Sequence, residues 1–274
     1  MSPRKNLFKP LFVSSLVAII LAATSPTHAQ YFQDDFEDGS ATDGNPVTWS
    51  DYPPPFNLGT FAVVDGDLVI TPATTGPVNG ADRNYREKDV VVANRLFHDV
   101  NVLARVRALT DAPSIIGIGT LDTHFADNGI GMSVNSSIVF DGARRYLLMN
   151  YENNLSTTRL GLVDTNISQS ASDVNLRVAI AGDVASFSVW ADEEAEPTSP
   201  QLQRKLPRSF QNTEGQVVIW AGNADGVDSP VAFRSITVVP EPSAAMLGSV
   251  AYLTLLSRVR RCRNPQPESP RRFV

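Results

Sequence analysis

The sequence predicts an all-β fold: a two-sheet antiparallel β-sandwich of the jelly-roll type, preceded by a helical signal peptide and followed by a short C-terminal transmembrane helix. Short segments that alternate apolar and polar residues recur through about 210 central residues, with turn-forming residues between them. None of these segments has a sustained 3.6-residue apolar period with helix caps. About ten to twelve strands in one domain of this size are expected to pack as two sheets.

The predicted strands are, in order, 61–64, 67–71, 99–108, 114–121, 129–134, 145–151, 159–163, 174–180, 184–190, 216–221 and 231–239. Asp65-Gly66 joins the first two strands and is typical of a tight hairpin turn. A second hairpin is expected around Gly182. The alternation in 99–108 places Arg105 and Arg107 on the solvent face.

The N-terminal segment has the three parts of a secretory signal. Three basic residues precede the apolar segment 11–23, and small residues follow it up to Ala29. The apolar segment is too short for a typical membrane span. We therefore expect residues 1–29 to be a signal peptide that the Sec translocon recognises and that signal peptidase removes after Ala29.

The C-terminal segment combines a rigid turn, a short apolar segment at 244–256 and a basic cluster. The turn is Pro240-Glu241-Pro242, and the basic residues are Arg258, Arg260, Arg261 and Arg263. This order resembles the PEP-CTERM sorting signal of Gram-negative bacteria. The resemblance covers 239–263 and implies processing near the turn by an exosortase-like enzyme, after transient anchoring in the inner membrane. It also implies an association with exopolysaccharide.

These two segments define the domain organisation that the sequence predicts: a signal peptide at 1–29, a sandwich at 30–239, a sorting signal at 240–263 and a polar tail at 264–274. An ordinary C-terminal tail anchor is the alternative to the sorting signal. The protein is expected at the cell surface, in the outer envelope or outside the cell.

The central region is strongly acidic. From Tyr31 to Pro240 there are 27 Asp and Glu against 14 Lys and Arg, a net charge of −13. Such a domain repels phosphate backbones, so nucleic acid is not expected as a partner. The charged, proline-broken segment 192–200 is expected to be a surface loop. Cys262 is the sole cysteine, so no intrachain disulfide can form.

Motifs for catalysis are missing from the sequence. A retaining glycosidase of this architecture would need closely spaced carboxylates on one strand, in a Glu-x-Asp-x-x-Glu or Glu-x-Asp-x-Glu pattern, and no such pattern occurs. No Gly-x-Ser-x-Gly motif supports a catalytic triad. His124, with Asp122 and Asp127 close in sequence, is a candidate metal site, but it supplies only one imidazole, so a polar loop is the favoured interpretation. No catalytic residue is assigned.

Two kinds of binding site are candidates. The carboxylates of Asp34, Asp35, Asp38 and Asp43 could hold a structural Ca²⁺, with ordinary turn formation as the alternative. For sugar stacking, Trp190 shares a strand face with two serines, and Tyr52 and Phe56 lie in a proline-rich loop. Plain packing is the alternative for each aromatic residue. Trp220, which shares its strand face with Val218, is expected in the core.

The opening and closing segments of the central region carry a second resemblance. The acidic opening 34–39, followed by Trp49, and the closing segment 231–238 resemble concanavalin-like or laminin-G-like sandwiches, in which the first and last strands pair. The sequence favours an exported, non-catalytic surface or matrix protein with polysaccharide as its candidate ligand. Two alternatives stay open: a hydrolase or lyase of the glucanase-like sandwich group, and a purely structural envelope protein.

Overall fold

The computed structural model describes residues 32–52, 58–75, 85–93, 95–123, 131–142, 144–154, 156–169, 173–210, 213–224 and 226–240. Within these residues the chain forms antiparallel strands and one 3₁₀ helix, so the predicted all-β fold class is confirmed. No helix in this part of the chain is long and apolar enough to cross a bilayer. The predicted signal peptide and C-terminal transmembrane helix lie outside the described residues.

The strands are β1 (Phe32–Asp34), β2 (Trp49–Asp51), β3 (Gly59–Val64), β4 (Asp67–Pro72), β5 (Tyr85–Val92), β6 (Val100–Ala108), β7 (Ser114–Asp122), β8 (Met132–Asp141), β9 (Arg144–Asn153), β10 (Ser156–Asp164), β11 (Val174–Ala181), β12 (Val184–Ala191), β13 (Leu202–Lys205), β14 (Gln216–Ala224) and β15 (Val231–Pro240). The 3₁₀ helix, Arg208–Phe210, lies between β13 and β14.

These strands form two sheets that pack face to face. The eight-stranded sheet has the order β13-β12-β11-β6-β15-β4-β3, and β1 also pairs with β15. The seven-stranded sheet has the order β10-β9-β8-β7-β14-β5-β2. Sequential hairpins such as β7–β10 alternate with pairs from distant parts of the sequence, such as β6–β15 and β7–β14. This order determines which side chains meet on each face.

Both predicted hairpins are present. Asp65 and Gly66 adopt positive φ angles of 52° and 80°, which match the twist of the paired strands β3 and β4. Gly182 has a φ of 60° in the turn that joins β11 and β12. Local turn chemistry therefore determines the register of these two pairs.

The core lies between the sheets and consists of alternate residues from both. From the eight-stranded sheet it includes Leu68, Val102, Leu176 and Phe187, and from the seven-stranded sheet Val90, Ile118, Leu147 and Ile219, all fully buried. Because the side chains of a strand alternate between its faces, the residues next to these point away from the core. In the eight-stranded sheet, Arg105 and Arg107 are among the residues whose side chains point away from the core, as predicted.

The pairing of β1 with β15 follows the resemblance to concanavalin-like sandwiches. Phe32 lies opposite Val238 in this pair. Behind β1, the buried Trp49 contacts the rings of Phe32 and Phe36 and donates a hydrogen bond of 2.8 Å from Nε1 to Asp34 Oδ2. Burial raises the pKa of the Asp34 carboxyl.

Four strands were not predicted from the sequence. β1, β2 and β13 have three or four residues each, too few to show an alternating pattern. β5 begins with four polar or charged residues in five, which obscures its apolar half. This fourth strand matters for function, because it contributes a carboxylate to the site described next.

Candidate active site on the seven-stranded sheet

The outer face of the seven-stranded sheet bears a group of carboxylates. Val90 and Val92 of β5 point into the core, so Asp89 and Glu87 point outward. On β9, Leu147 and Met149 point inward and Glu152 points outward. The carboxylates of these two strands therefore lie on the same side of the sheet.

A β-bulge brings Asp122 to this face. Leu121 has a φ of 53°, and the pairing of β7 with β14 shifts register between Gln216 and Val218. Leu121 consequently points into the core and Asp122 points outward opposite Gln216, with only 6% of its surface exposed. Without the bulge, the side-chain direction of Asp122 would be reversed.

Tyr52 connects the edge of the sheet to its centre. Its hydroxyl donates a hydrogen bond of 3.0 Å to Asp122 Oδ1, although Tyr52 follows β2 and Asp122 ends β7, three strands away. Its backbone N–H points to the carbonyl oxygen of Asp89 at 3.4 Å. The phenol therefore lies across the outer surfaces of β5 and β14.

The sheet curves around this face. The Tyr52 hydroxyl lies 3.0 Å from Asp122 Oδ1, although β2 and β7 are three strands apart. In a flat sheet three spacings would separate these strands by about 14 Å. Curvature thus brings the outward side chains of non-adjacent strands towards one another. The charge of Glu152 on β9 also raises the pKa values of both Asp89 and Tyr52.

Asp89 lies in an environment that favours its protonated form. Desolvation raises its pKa well above the ordinary value, and the charges of Glu87, Asp122 and Glu152 raise it further. Lys88 opposes this effect, but its ammonium group is buried in an ion pair with Asp51. Asp89 is therefore suited to donate a proton.

The other polar groups at this face act as hydrogen-bond donors. Burial, followed by the charge of Asp122, raises the pKa of Tyr52, so its hydroxyl stays protonated and donates. Ser133 Oγ donates to Glu152 Oε2 at 3.4 Å, and Asn135 Nδ2 donates to Ser133 Oγ at 3.1 Å. These donors orient the carboxylates.

An apolar cluster lies next to the carboxylates on the same face. Its buried members are Ile115, Val139, Tyr146 and Trp220. Trp220 pairs with Asp89 in the sheet, and its indole packs against the backbone at Gly117. Sequence reasoning placed Trp220 in the core. The residue is buried, but it lies on the outer face rather than between the sheets.

Of the aromatic residues predicted to stack on sugar, Trp190 and Tyr52 lie on different sheets. Trp190 lies on the outer face of the eight-stranded sheet, but it is only 8% exposed, and Arg177 lies 5.9 Å from its ring centre. Arg177 in turn pairs with Glu196 of the predicted acidic loop at 2.7 Å. Tyr52 lies in the carboxylate group on the other sheet, and Phe56 lies outside the described residues.

The four aspartates predicted to bind Ca²⁺ form turns. Each of Asp34, Asp35, Asp38 and Asp43 accepts a hydrogen bond from the backbone N–H two residues further along. In the part of the chain that the structure describes, no group of three or more His, Cys, Asp or Glu side chains is arranged to hold a metal ion. The Ca²⁺ site stays a prediction.

Several other predicted residues fall where the structure gives no description. These are His124, Asp127, Ala29, Glu241, Pro242 and the four arginines of the basic cluster. Pro240 is the last residue of β15. Sequence reasoning did not single out Asp89 or Glu152. The available signal for Asp89 was a charged residue placed directly before the apolar run Val90-Val91-Val92.

Comparison with known proteins finds structural likeness alone. No family model and no curated protein matches the sequence. Among solved structures, a native glycosidic hydrolase is 15% identical, with a TM-score of 0.52, over 78% of this chain and 97% of its own. A Bacillus licheniformis β-glucanase is 10% identical, with a TM-score of 0.52, over 77% and 98%.

A β-1,3-1,4-glucanase (lichenase) from a mouse hindgut metagenome is 12% identical, with a TM-score of 0.52, over 77% of this chain and 99% of its own. This chain spans only 39% of the length of the first match, GH43B of a Bacteroides ovatus xyloglucan PUL. The two are 11% identical, with a TM-score of 0.51. At these identities the likeness shows the fold, that of a glucanase-like sandwich.

These findings correct one prediction. The sequence favoured a non-catalytic protein because no paired carboxylates occur on any one strand. The structural neighbours are glycoside hydrolases, which favours the hydrolase alternative instead. The carboxylates on the outer face come from separate strands, so a search for a motif on one strand could not detect them.

Proposed function

We propose that this chain is a glycoside hydrolase that cleaves a polysaccharide on the outer face of the seven-stranded sheet. The observation that carries the proposal is the pair formed by Asp89 and Asp122. The environment of Asp89 favours a protonated carboxyl, whereas Asp122 accepts a hydrogen bond from Tyr52. Glycosidases combine a carboxylic acid with a carboxylate in this way.

Each carboxyl group has a distinct role in this reaction. Asp89 donates a proton to the glycosidic oxygen as the bond breaks, which requires a pKa near or above the working pH. The carboxylate of Asp122 acts at the other end of the same bond, where the anomeric carbon lies. Tyr52 positions Asp122, and Glu152 adds negative charge that stabilises the oxocarbenium-like transition state.

The proposed substrate class is a β-linked glucan. Two of the structural neighbours carry the names β-glucanase and lichenase, and each is covered over nearly its whole length. Curvature of the sheet suits a polymer that lies across several strands.

The test is reducing-sugar release by the purified protein from mixed-linkage β-glucan, laminarin, cellulose and xylan. We expect release from at least one β-glucan, and a loss of at least about 100-fold in Asp89→Asn and Asp122→Asn, because acid–base groups contribute that much. Glu194→Gln, in an exposed loop at the end of β12, is the matched control and should retain full activity.

Two outcomes would contradict the proposal. One is the absence of hydrolysis across the whole panel by a folded protein. The other is hydrolysis that survives in both Asp89→Asn and Asp122→Asn. Circular dichroism of each variant establishes that it is folded.

We also propose that the protein is exported and sorted. The support is the signal-like segment 1–29 and the resemblance of 239–263 to a PEP-CTERM signal. The expected partners are the Sec translocon, signal peptidase, an exosortase-like enzyme and exopolysaccharide. Mass spectrometry of the protein from its host should give an N-terminus at Gln30 and a C-terminus near Pro240. Recovery of the uncut chain would contradict this proposal.

A further inference from the structure

Five strands lie at the edges of the two sheets, and four of them carry features that discourage pairing with another chain. β1 and β2 have three residues each. β13 has four residues and ends with Arg204 and Lys205. β10 contains Arg159 and a bulge between Arg159 and Gly161. Short length, charged side chains and bulges are the means by which proteins protect the edges of sheets.

β3 is the fifth edge strand and has none of these features. It consists of six residues, Gly59–Val64, without a charge, a proline or a bulge. In the part of the chain that the structure describes, β3 pairs with β4 alone. Thr60, Ala62 and Val64 are exposed, Val64 to 50%. An open edge of this kind is a template for a further strand.

The hairpin turn determines which backbone groups of β3 point to the free edge. In a two-residue hairpin the residues that flank the turn, here Val64 and Asp67, form a hydrogen-bonded pair. Because hydrogen-bonded and non-hydrogen-bonded pairs alternate along antiparallel strands, Ala62 also bonds to β4. The N–H and C=O groups of Phe61 and Val63 therefore point away from β4, to the free edge.

These free groups are self-complementary. Consider a second copy of β3 that approaches antiparallel about a two-fold axis beside Ala62. Phe61 then lies opposite Val63 of the second copy, and each such pair exchanges both of its N–H···O bonds. On the outer face Ala62 meets Ala62, and Thr60 meets Val64. All of these side chains are uncharged, so no like charges oppose each other across the axis.

We propose that β3 is the interface through which two copies of this chain form a two-fold symmetric dimer, in which the two eight-stranded sheets become one continuous sheet. A second copy suits this edge better than a foreign strand, because symmetric pairing closes the open edges of both partners at once. The opposing force is the repulsion between two central regions that each carry a net charge of −13, and salt screens this repulsion.

The interface and the candidate active site lie on different sheets. β3 belongs to the eight-stranded sheet, whereas Asp89 and Asp122 lie on strands of the seven-stranded sheet. Dimer formation therefore does not depend on the proposed hydrolysis, and either can fail while the other stands.

Sedimentation equilibrium of the purified protein at several concentrations tests the interface. We expect a monomer–dimer equilibrium that shifts towards the dimer as salt is added. Ala62→Lys and Ala62→Glu each place two like charges beside the axis, so each variant alone should be monomeric. A mixture of the two opposes Lys to Glu and should dimerise again. Gln203→Lys, on the exposed edge strand β13 at the other end of the same sheet, is the matched control and should dimerise like the native protein.

Four results would overturn the proposal. A monomer at every concentration would mean that β3 pairs with no second copy. An assembly larger than a dimer would exclude closed two-fold pairing. A dimer that persists in both Ala62 variants would place the interface elsewhere, and a mixture that stays monomeric would show that the two copies of residue 62 do not meet. Circular dichroism establishes that each variant is folded.

A disulfide across the axis tests the register. The two copies of Ala62 form a non-hydrogen-bonded pair, whose α-carbons lie about 4.5 Å apart, within the range of about 4.4–6.8 Å that a disulfide spans. In a Cys262→Ser background, Ala62→Cys with oxidised glutathione should give a covalent dimer on a non-reducing gel, whereas Gln203→Cys should not. Absence of the covalent dimer in Ala62→Cys, or equal amounts in both variants, would overturn the proposed pairing.

Discussion

Tyr52 illustrates how much a single side chain determines at this site. It is 70 residues from Asp122 in sequence, yet their side chains are joined by a hydrogen bond. Its hydroxyl stays protonated because burial and nearby carboxylates raise its pKa. As a permanent donor, it holds one oxygen of Asp122 in place. We therefore regard Tyr52 as a positioning residue.

Removing this hydroxyl should lower the rate of the reaction rather than substrate affinity. Tyr52→Phe loses a hydrogen bond to a charged group, worth about 1.5–3 kcal/mol, so kcat should fall at least about tenfold while KM changes little. Steady-state kinetics on the best β-glucan gives both constants. Tyr151→Phe, whose ring packs against Phe210, is the matched control. An unchanged kcat in Tyr52→Phe would show that Tyr52 does not position Asp122.

Asp89 should make stability depend on pH in a direction opposite to most carboxylates. A carboxyl whose pKa is higher in the folded than in the unfolded state binds more protons when folded. The contribution of this carboxyl to the free energy of unfolding is therefore fully present below the ordinary pKa of 3.8. It is lost as the pH rises towards the raised pKa of the folded state. The neutral side chain of Asp89→Asn carries no such dependence.

The free energy of unfolding of Asp89→Asn, relative to the native protein, should accordingly increase between about pH 4 and pH 7. The change should exceed the ~0.5 kcal/mol typical of surface substitutions. Urea unfolding at several pH values measures it. Asp164→Asn, at an exposed strand end, is the control and should show no such trend. A constant difference across this range would contradict the raised pKa of Asp89.

At the scale of single elements, β7 needs a glycine at position 117, because Trp220 packs against its outer surface. The indole of Trp220 occupies the space where a Cβ of residue 117 would lie. Gly117→Ala should therefore destabilise the protein by about 1–3 kcal/mol through overpacking. Chemical denaturation measures the change. In a Trp220→Leu background the same substitution should cost much less, so the two effects should not add. Additive effects would show that the contact is unimportant.

The strands differ in how readily the sequence predicts them. β3–β4 and β11–β12 were predicted because turn residues and alternation agree locally. β5 was not, because Arg86, Glu87, Lys88 and Asp89 interrupt its apolar pattern. β5 carries the carboxylates on one face, and on the other face its buried Lys88 pairs with the exposed Asp51. The same charged residues that form the candidate site therefore hide this strand from a search for apolar alternation.

The site as a whole could not be predicted from strand patterns. Asp89, Asp122 and Glu152 share one face because β5, β7 and β9 lie in one curved sheet, and strand order is a long-range property of the fold. The bulge at Leu121, which turns Asp122 outward, has no turn signal such as glycine at that position. Tyr52 was singled out in the sequence, but as a sugar contact rather than a partner of Asp122.

At the scale of the molecule, the two sheets have different outer faces. The seven-stranded sheet carries the carboxylates, whereas the eight-stranded sheet carries an ion-pair network centred on Asp173. This carboxyl is 3% exposed and pairs with Arg105 at 2.7 Å, Arg234 at 2.9 Å and Arg107 at 3.9 Å. The network connects β6 and β15 to the start of β11.

Loss of the central charge should weaken the fold. Asp173→Asn leaves three guanidinium groups without their shared partner; because these groups are partly exposed, we expect a loss of about 2 kcal/mol rather than the 3–5 kcal/mol of a fully buried pair. Asp192→Asn removes an exposed partner of Arg105 and should cost less than about 1 kcal/mol. Thermal unfolding compares the two. Equal effects would contradict a central role for Asp173.

The pairing of β1 with β15 has one more consequence. Phe32 and Val238 lie side by side on adjacent strands, about 5 Å apart between α-carbons. A short peptide could join them covalently without crossing the domain, so the chain can be circularly permuted. New termini at Gly182, in an exposed hairpin turn, would preserve both sheets. The first strand that the structure describes therefore begins beside the end of the last one, within one sheet.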